Sequence, residues 1–258
     1  MRKSTTGGNG RITSLDSAVD SRIEDPAAGL PECSASGMHL EAILFDLDGT
    51  LLDSAPDLVA ALARLRLELD LPGFDFRPLR AAASRGATAI LERGLPELDE
   101  HDRLAFLPRY LDDYQTHCWE ASRVFDGIPE CLEAIEAQGL VWGVVTNKIE
   151  RLAVPVLEQA GWLGRSGCLI AGDTTAWSKP SPEPVLAACR KLGIDPRKTL
   201  FVGDDRRDID AGRAAGTGTA VALWGYIESN DDPADWSADR MLESPAALYE
   251  FLLGGGRA

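Results

Sequence analysis

Short apolar runs alternate with amphipathic stretches along this chain from residue 39 onward. The runs are rich in β-branched residues and predict strands at 42–45, 140–145, 168–171, 199–202 and 219–223. Apolar positions at helical spacing between the runs predict helices at 129–138, 149–161, 182–192 and 208–215. Strands that alternate with helices in this way indicate an α/β fold, with a parallel sheet covered on both faces.

The interval between residues 54 and 140 is far longer than one crossover helix requires, so it predicts an inserted domain. Its pattern is helical, because leucines form one stripe along 56–71 and a similar pattern continues along 99–119. Residues 83–88 read as a loop-like interruption between these two stretches. The predicted boundaries are 38–54 and 122–258 for the core and 55–121 for the helical insert.

Residues 1–37 are rich in Gly, Ser, Thr, Asp and Arg and show no apolar periodicity. Such a segment buries too little apolar surface to offset the entropy lost on ordering, so we predict a disordered extension. Met38 directly precedes the first predicted strand, and its position raises the alternative that translation starts there.

The formal net charge of -15 argues against binding to nucleic acid or to an anionic membrane, since both require a basic surface. An anionic substrate would then need a local positive centre, such as a metal ion or a lysine. The 5 cysteines form no C-x-x-C pair, which predicts reduced thiols and a cytoplasmic protein. The apolar runs are too short to cross a bilayer, and the sequence leaves a monomer and a homodimer open.

The first predicted strand ends in two carboxylates, Asp46 and Asp48, which Gly49 follows. Residues two apart on a strand share a side, so both carboxylates can approach one reacting atom. Close carboxylates resist ionising together, which favours one as a charged nucleophile or metal ligand and the other as a proton donor. The pattern indicates phosphoryl transfer. Acids that merely begin a turn and cap a helix are the alternative.

Three further polar side chains are candidates: Thr146 and Asn147 follow a predicted strand, and Lys179 lies in a loop. Thr146 and Asn147 end the strand at 140–145, at the sheet edge where open α/β folds bind ligands, and both could bind phosphate oxygens. Thr146 as a simple helix cap is the alternative. Lys179 lies in a loop before Pro180, where an isolated lysine is usually a solvated surface charge. Its place between the other motifs makes it a candidate.

A further strand, at 199–202, leads into Asp204 and Asp205, and Asp208 opens the next helix. Clustered carboxylate oxygens suit Mg²⁺, whereas helix-capping acids are the alternative. Acids from two strand ends would repel one another at one sheet edge, and a divalent cation removes that repulsion.

In order along the chain, these residues resemble the four signature motifs of the haloacid dehalogenase superfamily, beginning with D-x-D-G-T-L-x-D-S at 46–54. The long insert resembles the helical cap of the phosphoglycolate phosphatase-like branch, and residues 203–216 are similar to that branch. Residues 142–148 and 225–227 resemble bacterial enzymes that act on N-acetylmuramic acid 6-phosphate in cell-wall recycling. Such enzymes are commonly labelled phosphoglycolate phosphatases, so the motifs leave both substrates open.

The resemblance implies a three-layer, Rossmann-like core with a helical cap and a phosphatase that acts on a small phosphorylated metabolite. Asp46 would attack phosphorus to give an aspartyl-phosphate, while Asp48 protonates the leaving alkoxide and then activates water. Lys179, Thr146 and Asn147 would stabilise charge on the phosphoryl oxygens.

The resemblance also implies a magnesium site. The Asp46 carboxylate, the Asp48 backbone carbonyl and Asp204 would hold Mg²⁺. Asp208 would orient these ligands or bind the metal through water. Asp205 would orient the ligands without binding the metal itself.

The cap would close over the site and choose the leaving group, with Ser84, Arg85 and Gly86 as the specificity residues. Arg85 is the candidate partner for a substrate carboxylate, and an exposed arginine at a helix start is the alternative. Asp48 argues against dehalogenation, which needs no acid at that position. A sugar phosphomutase and, less favoured, a non-catalytic module that binds phosphorylated ligands stay open.

Overall fold

The computed structural model describes residues 40–254. The predictions made for residues 1–37, for Met38 and for Cys33 concern residues outside this range. The other four cysteines, Cys118, Cys131, Cys168 and Cys189, are buried free thiols. No helix within the described range is both long enough and apolar enough to cross a membrane.

The described residues form eight strands and eight α-helices, with 3₁₀ helices at Arg77–Arg85, Pro196–Lys198 and Pro233–Trp236. The strands are β1 (Ala42–Phe45), β2 (Leu52–Asp53), β3 (Arg123–Val124), β4 (Val141–Val145), β5 (Leu169–Ile170), β6 (Thr199–Gly203), β7 (Gly218–Ala222) and β8 (Arg240–Leu242). The helices are α1 (Ala55–Glu68), α2 (Ala87–Gly94), α3 (Glu100–His117), α4 (Ile128–Ala137), α5 (Glu150–Gln159), α6 (Glu183–Leu192), α7 (Arg206–Ala215) and α8 (Pro245–Gly254).

Six strands form one parallel sheet in the order β5-β4-β1-β6-β7-β8. Successive residues of β1 point to opposite faces, as the strand period requires. Ile43 and Phe45 belong to the apolar core that includes α4, α5 and α8, whereas Leu44 packs in the core with α6 and α7. The predicted α/β fold with a three-layer, Rossmann-like core is therefore confirmed.

The edge strand β8 and the last helix, α8, were not predicted. Only Leu242 of the three β8 residues is buried, so no apolar run marks this strand in the sequence. Its existence depends on pairing with β7. At the other edge, β5 is shorter than the predicted run at 168–171, because only Leu169 and Ile170 pair with β4.

The helical cap, formed by α1, α2 and α3, lies between the short strands β2 and β3. These strands pair antiparallel, so the chain leaves the core and returns to it through two hydrogen-bonded linkers. The buried Asp57 carboxylate of α1 accepts hydrogen bonds from the backbone N–H groups of Ala121 and Ser122, both at 2.8 Å. The start of the cap is thereby tied to its end. The domain boundaries given above stay a prediction.

The loop predicted at 83–88 is wrong. A 3₁₀ helix runs through Ala82 and Ala83 to Arg85, and α2 begins at Ala87. The break is confined to Gly86, whose φ of +84° other residues rarely adopt. Alanine-rich turns form helical structure readily, so a single glycine is enough to redirect the chain.

Candidate active site

The predicted catalytic acids meet at the carboxyl edge of the sheet. Asp46 follows β1, Thr146 follows β4 and Asp204 follows β6, and β1 lies between the other two strands. The carboxyl ends of parallel strands lie at one edge, so three separate stretches of sequence supply one site. The first turn of α7 adds Asp208 to it.

A buried carboxylate cluster occupies this edge. Asp46, Asp204 and Asp208 each contribute a carboxylate oxygen, and these oxygens lie within 4.8 Å of one another. Burial, together with repulsion from Asp46 and Asp208, raises the pKa of Asp204 to about 8. Burial and repulsion from Asp46 and Asp205 raise the pKa of Asp208 to about 7, although Lys179 opposes the shift. The cluster is therefore short of positive charge.

Lys179 is the buried cation of the cluster. Its Nζ lies 2.8 Å from Asp46 Oδ1 and 2.7 Å from Asp208 Oδ1, and it donates a hydrogen bond to the Val145 carbonyl at 2.9 Å. Burial lowers the pKa of Lys179, but the charges of Asp208 and Asp46 outweigh burial and leave the pKa above its ordinary value. Lys179 therefore stays protonated at neutral pH, and its contact with the sheet edge is not that of a solvated surface lysine.

Asp204 is fixed from the core side. Thr50 Oγ1 donates to Asp204 Oδ1 at 2.8 Å, and the Tyr226 backbone N–H donates to Oδ2 at 2.8 Å. Gly49 lies so close that a Cβ added there would stand 2.1 Å from Asp204 Oδ2, and its φ of +88° also requires glycine. The glycine of the first motif thus makes room for the acid of the last one.

The donor set fits a divalent cation. Carboxylate oxygens are hard ligands, and Asp46, Asp204 and Asp208 bring them together. The buried Asp46 Oδ1 lies 2.8 Å from Lys179 Nζ, which neutralises part of the negative charge of the cluster. Asp208 was predicted to orient the ligands or to bind the metal through water, and its carboxylate oxygen lies in the same cluster; its role towards a metal stays a prediction. A metal contact of the Asp48 backbone carbonyl stays a prediction.

The raised pKa values give a first prediction, on stability. In the metal-free protein Asp204 and Asp208 bind protons more tightly when folded than when unfolded, so stability should fall as pH rises from about 5 to 8. Mg²⁺ bound by the ionised carboxylates would raise the melting temperature by several degrees more at about pH 8 than at pH 5.5. Thermal unfolding with EDTA and with Mg²⁺ measures both effects.

Asp204→Asn provides the matched control, because it removes one of the two raised acids and keeps the side-chain shape. This variant should lose most of the Mg²⁺ effect. An increase in melting temperature with Mg²⁺ that is equal at the two pH values, or unchanged by Asp204→Asn, would contradict the assignment of the cluster.

Asp48 lies beside the cluster and has a partner that the sequence analysis did not single out. Lys148 Nζ donates to Asp48 Oδ1 at 2.8 Å and lies 3.1 Å from Oδ2. The Ser54 hydroxyl also donates to Oδ1. The Lys148 side chain is buried, and the charge of Asp48 raises its pKa despite that burial. The signal that could have found it is its place directly after Thr146 and Asn147 at the end of β4.

Thr146 and Asn147 both border the site, in different ways. The Thr146 hydroxyl accepts a hydrogen bond from the Lys148 backbone N–H at 3.2 Å, and it donates to no other group within residues 40–254. The Asn147 amide is engaged at both ends, since Nδ2 donates to the Lys179 carbonyl and Oδ1 accepts from the Lys179 N–H, each at 3.0 Å. Asn147 thus fixes the Lys179 segment, and phosphate binding by this residue stays a prediction.

Asp205 connects the core to the cap through Arg207. It caps α7 by accepting from the Arg207 N–H at 2.9 Å, and it accepts two more hydrogen bonds from the Arg207 guanidinium. Burial raises the pKa of Asp205, but the contacts with Arg207 outweigh burial and lower it. Arg207 Nη2 also donates to the carbonyl of Ser84 in the cap at 2.7 Å. Asp205 therefore orients a cap contact.

The predicted specificity residues lie where the cap meets the core. The Ser84 hydroxyl donates to Asp204 Oδ2 at 2.7 Å, and the half-exposed Arg85 pairs with Glu228 at 3.2 Å. Ser84, Arg85 and Gly86 all border a cavity of about 320 Å³ that opens onto Asp46. Its other wall is apolar, with leucines from α1 and α3. The cavity is of the size that small-molecule ligands occupy.

Comparison with known proteins agrees with this geometry. Residues 40–216 match the family model of the haloacid dehalogenase-like hydrolases. The N-acetylmuramic acid 6-phosphate phosphatase of Pseudomonas aeruginosa is 47% identical over 216 residues, which are 83% of this chain and 96% of that protein. The phosphoglycolate phosphatase of Xanthomonas campestris is 44% identical over 209 residues, which are 81% of this chain and 95% of that protein.

A crystal structure described as that of a predicted phosphoglycolate phosphatase from Haemophilus somnus is also similar. Its TM-score is 0.75 at 29% sequence identity, over 83% of this chain and 99% of that one. The likeness therefore extends through the cap and the core. The resemblance noted from the motifs is confirmed.

Proposed function

This chain belongs to the haloacid dehalogenase-like hydrolases and is a phosphatase of that family, and we propose that it is a Mg²⁺-dependent phosphomonoesterase working through an aspartyl-phosphate on Asp46. The observation that carries the proposal is the state of Asp46. This buried carboxylate follows β1, pairs with Lys179 at 2.8 Å and borders the cavity. A carboxylate fixed in one position beside a cavity of substrate size is suited to attack phosphorus.

In the first step an Asp46 oxygen forms a bond to phosphorus as the ester P–O bond breaks, and Asp48, which is protonated when the anionic ester binds, gives its proton to the departing alkoxide. In the second step Asp48 takes a proton from water, which attacks phosphorus, releases inorganic phosphate and restores Asp46. Lys179 and Thr146 stabilise the charge on the phosphoryl oxygens. Ser54 and Lys148 hold Asp48 in place for both proton transfers.

Phosphatases of this family generally use a divalent metal, and we propose Mg²⁺ here. Asp46, Asp204 and Asp208 would hold it, with the Asp48 backbone carbonyl as the further predicted ligand. Bound there, the cation supplies positive charge that offsets the repulsion between Asp46 and an anionic phosphate ester.

For the substrate we propose N-acetylmuramic acid 6-phosphate, with 2-phosphoglycolate as the second candidate. A second relative with the former name, from Pseudomonas putida, is 45% identical over 83% of this chain and 97% of its own length. The cavity of about 320 Å³, with its apolar wall, supports a sugar acid over a two-carbon acid. The cytoplasmic location and the monomeric or homodimeric state stay predictions from the sequence.

A comparison of kcat/KM among four phosphate esters tests the substrate. We expect N-acetylmuramic acid 6-phosphate to exceed 2-phosphoglycolate, glucose 6-phosphate and a phosphopeptide by about 10-fold or more, since the cavity contacts only a leaving group that fills it. Phosphate release also separates a phosphatase from a phosphomutase, which would return the phosphoryl group to a sugar.

Two results would overturn this assignment. A phosphopeptide as the best substrate would show that the cap does not select small molecules. Preference for 2-phosphoglycolate would make this compound the proposed substrate. It would also show that the size of the cavity does not select the leaving group.

A further inference from the structure

The cavity beside Asp46 is bordered by both acidic and basic side chains. Among residues 40–254 the acids are Asp46, Asp48, Asp205 and Asp208, and the cations are Arg85, Lys148, Lys179 and Arg207. A substrate that carries a carboxylate in addition to its phosphate brings a second negative group into this space. Taking that carboxylate out of water is costly unless a cation with a free hydrogen-bond donor meets it.

The two lysines of the cavity are committed to the acids of the site. Only 2% of the Lys179 side chain and 5% of the Lys148 side chain are exposed. Lys179 Nζ contacts Asp46 and Asp208, whereas Lys148 Nζ contacts both carboxylate oxygens of Asp48. Neither ammonium group is therefore suited to bind a further carboxylate.

Arg85 is engaged as well. Its Nε lies 3.2 Å from Glu228 Oε1, an oxygen that also accepts a hydrogen bond from Arg93 Nη2 at 2.7 Å. Half of the Arg85 side chain is exposed, so water and salt screen its charge. Arg85 is therefore less suited to hold a substrate carboxylate than the less exposed Arg207.

Arg207 is the remaining cation of the cavity, and one side of its guanidinium is uncommitted. Nε and Nη2 donate to the two oxygens of Asp205 at 2.8 and 3.0 Å, and Nη2 also donates to the Ser84 carbonyl at 2.7 Å. Nη1 has no hydrogen-bond partner among residues 40–254, and it is not buried. A guanidinium that is fixed by one carboxylate can bind a second one through its remaining N–H groups.

We propose that Arg207 Nη1 binds the carboxylate of the substrate while the phosphate of the same molecule lies at Asp46. The proposal rests on the proposed function, and it names the substrate class: phosphate esters of small alcohols that also carry a carboxylate. Burial lowers the pKa of this guanidinium, but the contact with Asp205 and the charges of Asp208 and Asp46 outweigh burial and raise the pKa. Arg207 is thus a charged specificity residue of the core, at the point where the Ser84 carbonyl of the cap meets it.

Pairs of esters that differ in the carboxylate test the proposal. N-acetylglucosamine 6-phosphate is N-acetylmuramic acid 6-phosphate without its lactyl group, and ethyl phosphate has a methyl group in place of the carboxylate of 2-phosphoglycolate. The wild type should prefer the acid in at least one pair. Arg207→Gln should lower kcat/KM on that acid by about 10- to 100-fold and kcat/KM on its neutral partner by less than about 3-fold. Arg207→Lys keeps the charge and should recover part of the loss.

Arg206→Gln is the matched control. It makes the same change one residue earlier, where the exposed side chain pairs with Asp210 and does not border the cavity. This variant should keep kcat/KM on both esters of a pair within about twofold of the wild type. Melting curves show which variants fold, and Arg207→Lys gives the same ratio of acid to neutral ester if Arg207→Gln does not fold.

The outcomes separate this proposal from the proposed function. A wild type that releases phosphate from none of the four esters would remove both. An active wild type that uses the neutral esters as well as the acids would overturn this proposal alone. So would a folded Arg207 variant that loses activity equally on both members of a pair, or on neither, because the guanidinium would then not recognise the carboxylate.

Discussion

Replacing Asp46 by Asn should lower kcat on every phosphate ester by at least about 10³-fold, because an amide cannot serve as the attacking nucleophile. The substitution keeps the size and shape of the side chain at the end of β1. Lys179 keeps its ion pair with Asp208 and its bond to the Val145 carbonyl, so the surrounding segment should stay in place. Phosphate release measured with excess substrate and Mg²⁺ gives the rate.

Asp210→Asn is the control for this experiment. It makes the same chemical change at a half-exposed position of α7, close to the site, where Asp210 faces only Arg206 within the described residues. This variant should keep its rate within about twofold, as surface substitutions usually do. Turnover of Asp46→Asn at a rate near that of the wild type, with its melting curve unchanged, would exclude Asp46 as the nucleophile.

The core of the site could be predicted because it depends on strand ends. Apolar runs mark β1, β4 and β6 in the sequence, and parallel strands in a doubly covered sheet bring their carboxyl ends to one edge. The approach of Asp46 to Asp204 therefore follows from local patterns and one topological rule. The cap is similarly visible, because the interval after β2 is too long for a crossover.

The contacts that join the cap to the core could not be predicted in this way. The approach of Tyr114 to Lys148 depends on how α3 packs over the sheet edge. The apolar periodicity of the two segments does not predict this packing. The two hydrogen bonds between the Asn147 amide and the Lys179 backbone were likewise not predictable, because the two residues are distant in the sequence. Lys148 was overlooked although the rule for strand ends applies to it, since it follows β4 as Asp48 follows the neighbouring strand β1.

Asp48→Asn should lower the steady-state kcat by about 10²- to 10⁴-fold, the usual range for loss of a general acid or base. The amide keeps an oxygen that can accept from Lys148 Nζ and Ser54 Oγ, so the side chain should keep its position. It can neither protonate an alkoxide nor take a proton from water. The predicted metal contact of residue 48 is through its backbone carbonyl, so the increase in melting temperature with Mg²⁺ should persist, and thermal unfolding checks this.

The two steps respond differently to this variant when the leaving group is a stable anion. Nitrophenolate departs without a proton, so Asp46 should still be phosphorylated by p-nitrophenyl phosphate. Hydrolysis of the aspartyl-phosphate still needs a base and should become slow. The phosphorylated enzyme should therefore accumulate.

Rapid mixing of Asp48→Asn with p-nitrophenyl phosphate and Mg²⁺ tests the aspartyl-phosphate on Asp46 most directly. If Asp46 is the nucleophile, we expect a burst of about one nitrophenolate per active site, followed by a slow phase. Acid quenching followed by borohydride reduction should convert residue 46 to homoserine, which mass spectrometry detects, and the double variant with Asp46→Asn should show neither signal. Linear release without a burst while Asp48→Asn turns over, or a burst that survives Asp46→Asn, would exclude an aspartyl-phosphate on Asp46.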